Sequence, residues 1–206
     1  MRRGRLFILI AALLTLLVLG AALMHPLVRF TLALRFEGFD RAESVYLSRI
    51  QSSEKLDGAA REQLRRYVAK TAAEYYSGAL TYAEATERLV PLTQKSLPQD
   101  HIAPTLKAVR EMEAARTDLA QADACAAGGD LVRAIPLYRR SLIADEGAAF
   151  RLKQAETAYK NSILEQAETA MDAGQYAAAE KALQEGLALL GTDDDLALAL
   201  EDVGRM

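Results

Sequence analysis

Four alanines recur along the chain at nearly regular intervals, each inside the same apolar pattern. Ala42, Ala85, Ala134 and Ala179 are 43, 49 and 45 residues apart. A large apolar residue stands three positions before each alanine, and another stands four positions after it. The flanking pairs, in chain order, are Phe39 and Tyr46, Tyr82 and Leu89, Leu131 and Tyr138, and Tyr176 and Leu183. This recurrence strongly constrains the fold, because an internal repeat of this length favours a serial array of similar units.

The pattern predicts one packed face on each of four short helices. Positions i, i+3 and i+7 lie on one side of an α-helix, so the small and the large residues face the same neighbour. The alanine lets that neighbour approach closely, and the large residues fill the space on either side. We therefore expect Ala134, Tyr138, Ala179 and Leu183 to form a buried structural framework. The same face is expected to extend to four later residues, Ile50, Leu92, Leu142 and Leu187.

Helical periodicity continues between these segments, and no window alternates apolar and polar residues as a half-buried strand does. Short breaks between the helices force neighbours into antiparallel hairpins. Asp100, Asp130 and either Thr192 or Asp193 are expected to cap helix N-termini. The sequence therefore predicts an all-α fold, an irregular stack of antiparallel helical hairpins. Its helices are predicted over residues 58–77, 82–95, 100–127, 131–144, 147–173 and 176–190.

The last two copies of the pattern resemble tetratricopeptide repeats. The residues that match the second helix of that family are Gly129, Asp130, Leu131, Ala134 and Tyr138, and then Gly174, Gln175, Tyr176, Ala179 and Leu183. Ile163, Ala167 and Ala170 match its first helix. The resemblance implies a solenoid of stacked hairpins that binds a peptide or protein on its concave face. Leu164 and Glu168 occupy two positions where some members carry the Lys and Asn of a carboxylate clamp, which argues against that binding mode here.

Three departures from the family favour an irregular stack over a regular superhelix. The repeat spacing exceeds the family's length of about 34 residues. Asp118 and Ala122 stand where the family has an aromatic residue and a glycine. Pro91 and Pro136 are expected to interrupt two of the short helices. The resemblance is therefore good only over residues 115–190.

Residues 6–24 form an uncharged apolar run directly after an arginine cluster that ends at Arg5. As a helix this run would be about 28 Å long, close to the thickness of a bilayer's hydrocarbon core, so it predicts a transmembrane anchor. Small residues at 20–22 leave a cleaved signal peptide as the alternative. The run is longer than a usual signal core, however, and apolar residues continue as far as Leu34. The arginines before the run place the N-terminus in the cytoplasm and the rest of the chain outside.

The anchor divides the chain into three predicted parts. Residues 1–25 comprise a cytoplasmic tip and the anchor. Residues 26–58 form a juxtamembrane helical segment with a partial repeat, and residues 59–206 form the repeat domain. The predicted location is therefore a cell membrane, with a single pass and an extracytoplasmic C-terminal domain.

The charge balance argues against nucleic acid as a partner. The chain has 25 Lys and Arg against 28 Asp and Glu, and the basic residues in the N-terminal cluster leave 22 against 28 after residue 25. A protein that neutralises a phosphate backbone needs the opposite balance. The charged residues are typical of solvated helix faces. Glu156 and Lys160, for example, are four positions apart and are expected to form an exposed ion pair.

The residues that carry chemistry are few and scattered. Neither of the two histidines, His25 and His101, has a second histidine at helical ligand spacing, and the one cysteine, Cys125, lies in an Ala-rich segment. Three aspartates at 193–195 lack the spacing of a calcium loop and suit a helix N-terminus. Nucleophile-elbow, phosphate-loop and dinucleotide motifs are missing from the sequence. We therefore expect no catalytic, cofactor-binding or metal-binding residues, no cofactor and no enzymatic activity.

Together these features predict a membrane-anchored protein–protein interaction or scaffolding module of the cell envelope. It would contact the lipid bilayer through its N-terminal helix and an unknown protein partner through its repeats. Two alternatives stay open: a self-associating helical spacer, which would form a homo-oligomer, and an exported soluble helical protein left after signal cleavage. An enzyme of unfamiliar type is a third alternative.

Overall fold

A computed structural model describes residues 24–206, which fold into helices joined by short turns. This part of the chain contains no strand, so the all-α prediction is confirmed. A π-helical turn, Ala33–Glu37, separates the first two α-helices of the described chain. From residue 26 onward these helices are α1 (Pro26–Leu32), α2 (Phe39–Arg49), α3 (Glu54–Tyr76), α4 (Tyr82–Thr93), α5 (Ile102–Ala127), α6 (Leu131–Arg140), α7 (Ala148–Asp172), α8 (Tyr176–Leu190) and α9 (Asp194–Gly204).

The chain divides into two compact units. The first unit ends at Arg110, and the second comprises residues Glu111–Met206. The division falls inside α5, which begins in the first unit and ends in the second. The boundaries at residues 25 and 58 that the sequence suggests stay predictions.

The first unit is built largely from α1 to α4. The helices α1 and α2 pack together with the π-helical turn, and α3 packs against α1 and α4. Gly38 joins the turn to α2 with a φ of 99°, a backbone conformation that favours glycine. Aromatic rings support the packing, with 6.2 Å between the ring centroids of Phe30 and Tyr46. The buried core includes Phe30, Leu34, Ala42, Val45, Tyr46, Ile50, Leu64, Val68, Tyr75, Ala85, Leu89 and Leu92.

The second unit is built from the end of α5 and from α6 to α9. In it α6 packs on α7, α7 on α8, and α8 on α9. The helices approach closely at Gly186 of α8, where an added Cβ atom would lie 3.0 Å from Ile163 and 3.1 Å from Leu196. A glycine therefore permits α8 to touch both neighbours. The core includes Leu119, Ala122, Ala134, Ile135, Tyr138, Ala155, Tyr159, Ile163, Ala167, Ala179, Leu183, Leu196 and Val203.

Two of the three positions of the repeated apolar pattern are buried in both units. Its four alanines are all 0% exposed: Ala42, Ala85, Ala134 and Ala179. The large residues four positions after them are also buried, at no more than 4% exposure: Tyr46, Leu89, Tyr138 and Leu183. The expected burial of the framework is confirmed. Each short helix therefore contributes the alanine and the large residue after it to the core of its unit. The large residue before the alanine is only partly buried in the first three copies, and the expected packing is wrong at Tyr176, which is 43% exposed.

The predicted extension of this face is right at Ile50 and Leu92, which are fully buried, and wrong at Leu142, which is 46% exposed. The physical reason is that α6 ends at Arg140, four residues earlier than expected. Ser141 follows, fully buried, and its hydroxyl donates a 2.9 Å hydrogen bond to the carbonyl of Tyr138. The serine therefore takes the buried place at the end of the helix.

Two of the predicted helix caps are confirmed. The carboxylate of Asp130 accepts a hydrogen bond from the backbone N–H of Arg133 at the start of α6. The carboxylate of Asp193 accepts hydrogen bonds from the N–H groups of Asp195 and Leu196 at the start of α9. These bonds satisfy amides that have no partner within their own helix.

The expected interruption of two short helices by proline is wrong. The helix α4 continues through Pro91 to Thr93, and α6 continues through Pro136 to Arg140. Each proline lies within the last five residues of its helix. There it removes one amide donor and leaves most of the helical hydrogen bonds in place.

Within residues 24–206, no helix combines the length and the apolar composition that a membrane crossing needs. The anchor predicted over residues 6–24 lies outside the described residues, apart from Met24.

Candidate functional site

The side chains that most often carry chemistry are dispersed. His25 precedes α1 and His101 precedes α5, and both are exposed. Cys125 is partly buried against the core of the second unit. Residues 24–206 contain no group of three or more His, Cys, Asp or Glu side chains that could hold a metal ion.

The second unit contains a groove of about 380 Å³ bordered by α5, α6 and α7, which we call the α5–α7 groove. Half of its lining is apolar and small or aliphatic, and the other half is polar. The apolar residues are Ala126, Leu131, Ala155 and Ala158, and the polar residues are Asp123, Tyr138, Arg151 and Gln154.

A chain of polar contacts fixes the polar side of this groove. The hydroxyl of Tyr138 donates a 2.7 Å hydrogen bond to Oδ1 of Asp123. The other oxygen of that carboxylate, Oδ2, accepts a 3.0 Å bond from Nη1 of Arg151, whose Nη2 donates at 3.0 Å to Asp145. The side chains of Asp123 and Arg151 are 46% and 37% exposed, so both stay accessible to a ligand.

Tyr138 connects this groove to the repeat. It stands four residues after Ala134, and its ring is buried while its hydroxyl reaches Asp123. The pKa of Tyr138 is raised to about 12, mainly by burial and in second place by the hydrogen bond to Asp123. The hydroxyl therefore stays protonated near neutral pH and acts as a donor. A framework residue of the repeat thus also orients a carboxylate in the groove.

Two arginines after Tyr138 tie α6 to its neighbours. Nη2 of Arg139 lies 2.7 Å from Oε1 of Glu156 on α7, and its Nη1 donates a 2.8 Å bond to the carbonyl of Leu189 near the end of α8. Nε of Arg140 donates a 2.9 Å bond to Asp118 on α5. A cation at the last carbonyls of a helix is a favourable arrangement. These contacts hold the helices that border the groove.

The expected pair between Glu156 and Lys160 is wrong. Glu156 binds Arg139, and Nζ of Lys160 lies 3.5 Å from Oδ2 of Asp193 and 2.7 Å from Oδ2 of Asp195. The helix α6 and the N-terminus of α9 bring opposite charges to α7, and these replace the pair within the helix. Of the two clamp positions considered in the sequence, Leu164 is partly buried and Glu168 is exposed, and neither lines the groove.

The first unit has its own tyrosine–carboxylate–arginine contact. The hydroxyl of Tyr46 donates a 2.5 Å hydrogen bond to Oδ1 of Asp57, and Nε of Arg61 donates a 2.8 Å bond to Oδ2. Arg61 also pairs with Asp100. The bond from Tyr46 makes the largest contribution to lowering the pKa of Asp57, and the bond from Arg61 lowers it further. The pKa of Tyr46 is raised, mainly by burial and in second place by the bond to Asp57.

The first unit also contains a larger cleft, of about 530 Å³, among the π-helical turn, α3 and α4. Its lining carries four basic side chains and one carboxylate, Glu74, and we call it the basic cleft. The basic residues are Arg35, Arg66, Lys70 and Arg88. Phe36 and Tyr67 contribute aromatic rings to the same lining.

Neither the α5–α7 groove nor the basic cleft was identified from the sequence. Asp123 and Arg151 come from different helices, and helical spacing alone does not show that they meet. The basic cleft takes its charges from three separate elements, so no run of basic residues marks it. The one local signal was Arg66 and Lys70, which are four positions apart on one face of α3.

The chain matches no family model, no curated protein and no solved structure.

Proposed function

We propose that the protein is a membrane-anchored, non-catalytic interaction module, and that the α5–α7 groove of its second unit binds a segment of a protein partner. The anchor is the apolar run at residues 6–24, and both units lie on the extracytoplasmic side. In this proposal the second unit is a pair of degenerate tetratricopeptide-like hairpins. The complete burial of Ala134 and Ala179, the small residues of the resemblance, supports that assignment.

The observation that carries the proposal is the composition of the α5–α7 groove. Its volume of about 380 Å³ falls in the range of small binding sites. Small side chains such as Ala155 and Ala158 leave room for the side chains of a ligand. The carboxylate of Asp123 and the guanidinium of Arg151 are held in place and stay partly exposed, so they can add directional contacts.

The charge of the second unit indicates the chemistry of the partner. Residues 111–206 contain 9 Lys and Arg against 18 Asp and Glu. Complementary potentials steer association and exclude partners of the same sign. The bound segment is therefore expected to carry Lys or Arg together with apolar side chains. The same excess of acid disfavours pairing between two second units.

Site-specific photo-crosslinking in intact membranes tests this proposal. A photoreactive amino acid replaces the groove residue Gln154 in the full-length protein, and a matched probe replaces Ala177, an exposed residue of α8 outside the groove. We expect one discrete protein adduct from position 154 and none from position 177. Adding Ala158→Lys, which places bulk and positive charge in the groove, should abolish the adduct, whereas Ala177→Lys should leave it unchanged.

Three results would contradict the proposal. An adduct of equal yield from both positions would show that the groove is not the binding surface. An adduct that survives Ala158→Lys would exclude the groove in the same way. An adduct with a second copy of this chain would support the self-associating spacer instead.

A further inference from the structure

The basic cleft of the first unit holds more positive than negative charge. Four basic side chains line it, and Glu74 is the one carboxylate among its lining residues. Lys70 and Arg88 share that carboxylate, with Nζ of Lys70 3.6 Å from Oε1 and Nη1 of Arg88 3.2 Å from Oε2. A single carboxylate therefore serves two cations, and the cleft keeps a positive excess.

The other two cations are also incompletely neutralised. Glu62, on the neighbouring turn of α3, accepts bonds from both Arg66 and Arg65. Arg35 is exposed and forms no ion pair within residues 24–206. The described part of the first unit has the same bias, with 13 Lys and Arg against 10 Asp and Glu between residue 24 and Arg110. The cleft thus suits an anionic group.

An exposed aromatic ring lies at the same place. Phe36 lines the cleft next to Arg35, and it is 79% exposed, more than any other large apolar side chain of the described chain. An apolar ring beside basic side chains is the combination that binds the interface of an anionic membrane. Binding of a free phosphate ion or of an acidic peptide in solution would not account for this exposed ring.

The position of the cleft along the chain brings it near the proposed anchor. His25 has an extended backbone, and Pro26 begins α1, so α1 need not continue the direction of the preceding segment. Arg35 follows Met24 by 11 residues, mostly helical, which limits its distance to roughly 20 Å. If α1 runs along the bilayer surface, the cleft reaches the headgroup layer. The tether also gives the cleft a high effective concentration of lipid.

We propose that the basic cleft binds the phosphate of an anionic phospholipid headgroup, with Arg35, Arg66 and Lys70 around the phosphate and Phe36 inserted into the membrane interface. Binding seats the first unit on the bilayer that holds the anchor. This inference rests on the anchor in the proposed function, but not on the α5–α7 groove.

The absence of tryptophan from the sequence makes a direct spectroscopic test available. The full-length Phe36→Trp protein is reconstituted in nanodiscs of phosphatidylcholine alone, or of phosphatidylcholine with phosphatidylglycerol. We expect a blue shift of the Trp emission and weaker quenching by acrylamide only with phosphatidylglycerol. The matched control is Phe150→Trp, at an exposed phenylalanine of the second unit, whose spectrum should not depend on the lipid.

Charge variants test whether the cleft itself is responsible. In the Phe36→Trp background, Arg35→Gln and Lys70→Gln remove two cations from the cleft, and Arg49→Gln and Lys55→Gln remove two exposed cations of the same unit outside it. Each cleft variant should need about five times more phosphatidylglycerol to produce the same shift. One basic residue near an anionic surface typically changes binding by about this factor. The control variants should have little effect.

The outcomes separate this inference from the proposed function. Flotation with vesicles after alkaline carbonate treatment reports the anchor alone. A protein that floats but shows the same Trp spectrum in both lipids overturns the headgroup site and leaves the anchor standing. A protein that floats neither with phosphatidylcholine vesicles nor with vesicles that also contain phosphatidylglycerol overturns both the anchor and the headgroup site. The headgroup site is also overturned if cleft and control variants have equal effects. It is overturned as well if inorganic phosphate or a poly-glutamate peptide causes the same spectral change in phosphatidylcholine nanodiscs.

Discussion

The two units use a tyrosine of the same repeat position in the same kind of hydrogen bond, but the units themselves carry net charges of opposite sign. Tyr46 and Tyr138 each stand four residues after a buried alanine, and each donates to an aspartate that also binds an arginine. In the first unit the aspartate comes from the helix that follows, whereas in the second it comes from the helix that precedes. The first unit is basic and the second strongly acidic.

This difference separates what the repeat requires from what it leaves free. The alanine and the large residue four positions after it are buried in both units, because they form the contact between helices. The exposed faces are not constrained by that contact, so they can acquire a basic cleft in one unit and an acidic surface with a groove in the other. The framework is therefore shared, and the proposed partners differ.

The largest expected effect concerns the shared framework. Leu89 and Leu183 occupy the same position of the pattern and are both fully buried. Replacing either with alanine should lower the free energy of unfolding by about 2–5 kcal/mol, because a cavity is left in a closely packed core. Leu142→Ala, at an exposed site, should change it by less than about 0.5 kcal/mol. Urea denaturation measures these differences, and a small loss at only one of the two leucines would show that the units do not share a framework.

Two glycines sharpen the comparison, because the same substitution should have opposite effects in the two units. At Gly186 a new Cβ would meet Ile163 and Leu196, so Gly186→Ala should destabilise by about 1–3 kcal/mol, less any gain in helix propensity. At Gly58 of α3 a new Cβ meets nothing within 4 Å, so Gly58→Ala should stabilise by about 0.5–1 kcal/mol. Thermal unfolding of both variants provides the test. Effects of the same sign would contradict the close approach at Gly186.

The two tyrosine hydroxyls should contribute unequally. Each Tyr→Phe variant removes one hydrogen bond, which costs about 0.5–1.5 kcal/mol. The larger loss is expected for Tyr46→Phe, because Asp57 is 22% exposed and Asp123 is 46% exposed, so water replaces the lost donor more easily at Asp123. Chemical denaturation at neutral pH measures both losses. A larger loss for Tyr138→Phe would contradict this ranking.

The same variants have opposite consequences at the two ends of the pH scale. Because the pKa of Asp57 is lowered on folding, its stabilising contribution is present above its usual value of 3.8 and is lost as the pH falls through the lowered pKa. Tyr46→Phe should reduce this acid-dependent loss. Because the pKa of Tyr138 is raised to about 12, its contribution is present below pH 10.0 and is lost as the pH rises toward 12. Tyr138→Phe should reduce that alkaline loss, and unfolding measured across both ranges checks each sign.

The smallest expected effect concerns the ion pairs of the second unit. Lys160 bridges α7 to Asp193 and Asp195 at the start of α9 and is itself only 24% exposed. Lys160→Met should lower the free energy of unfolding by no more than about 1 kcal/mol. Lys181→Met removes an exposed pair with Glu185 within α8, and its effect should be smaller still. Equal effects at the two lysines would indicate that the bridge between helices adds nothing.

Much of the fold could be predicted from the sequence because it depends on local periodicity. The helix α8, for example, has the bounds that the spacing predicts, and Asp130 and Asp193 cap their helices as expected. The end of α6 was missed because Ser141 hydrogen-bonds locally and ends the helix early.

The candidate sites could not be predicted in the same way. The contact of Asp123 with Tyr138 and Arg151 joins three helices, and the expected pair of Glu156 and Lys160 gives way to partners from other helices. Such contacts depend on how helices pack, which the periodicity of any single helix does not specify. The sequence therefore predicted which faces are buried better than which polar groups meet.

Photo-crosslinking at two positions of the full-length protein, in its own membrane, tests most directly whether the two units face different partners. One probe replaces Phe36 in the basic cleft and the other replaces Gln154 in the α5–α7 groove, and mass spectrometry identifies each adduct. We expect phospholipid adducts from position 36 and a single protein adduct from position 154. Protein adducts from position 36 together with lipid adducts from position 154 would contradict the division, as would the same products from both positions.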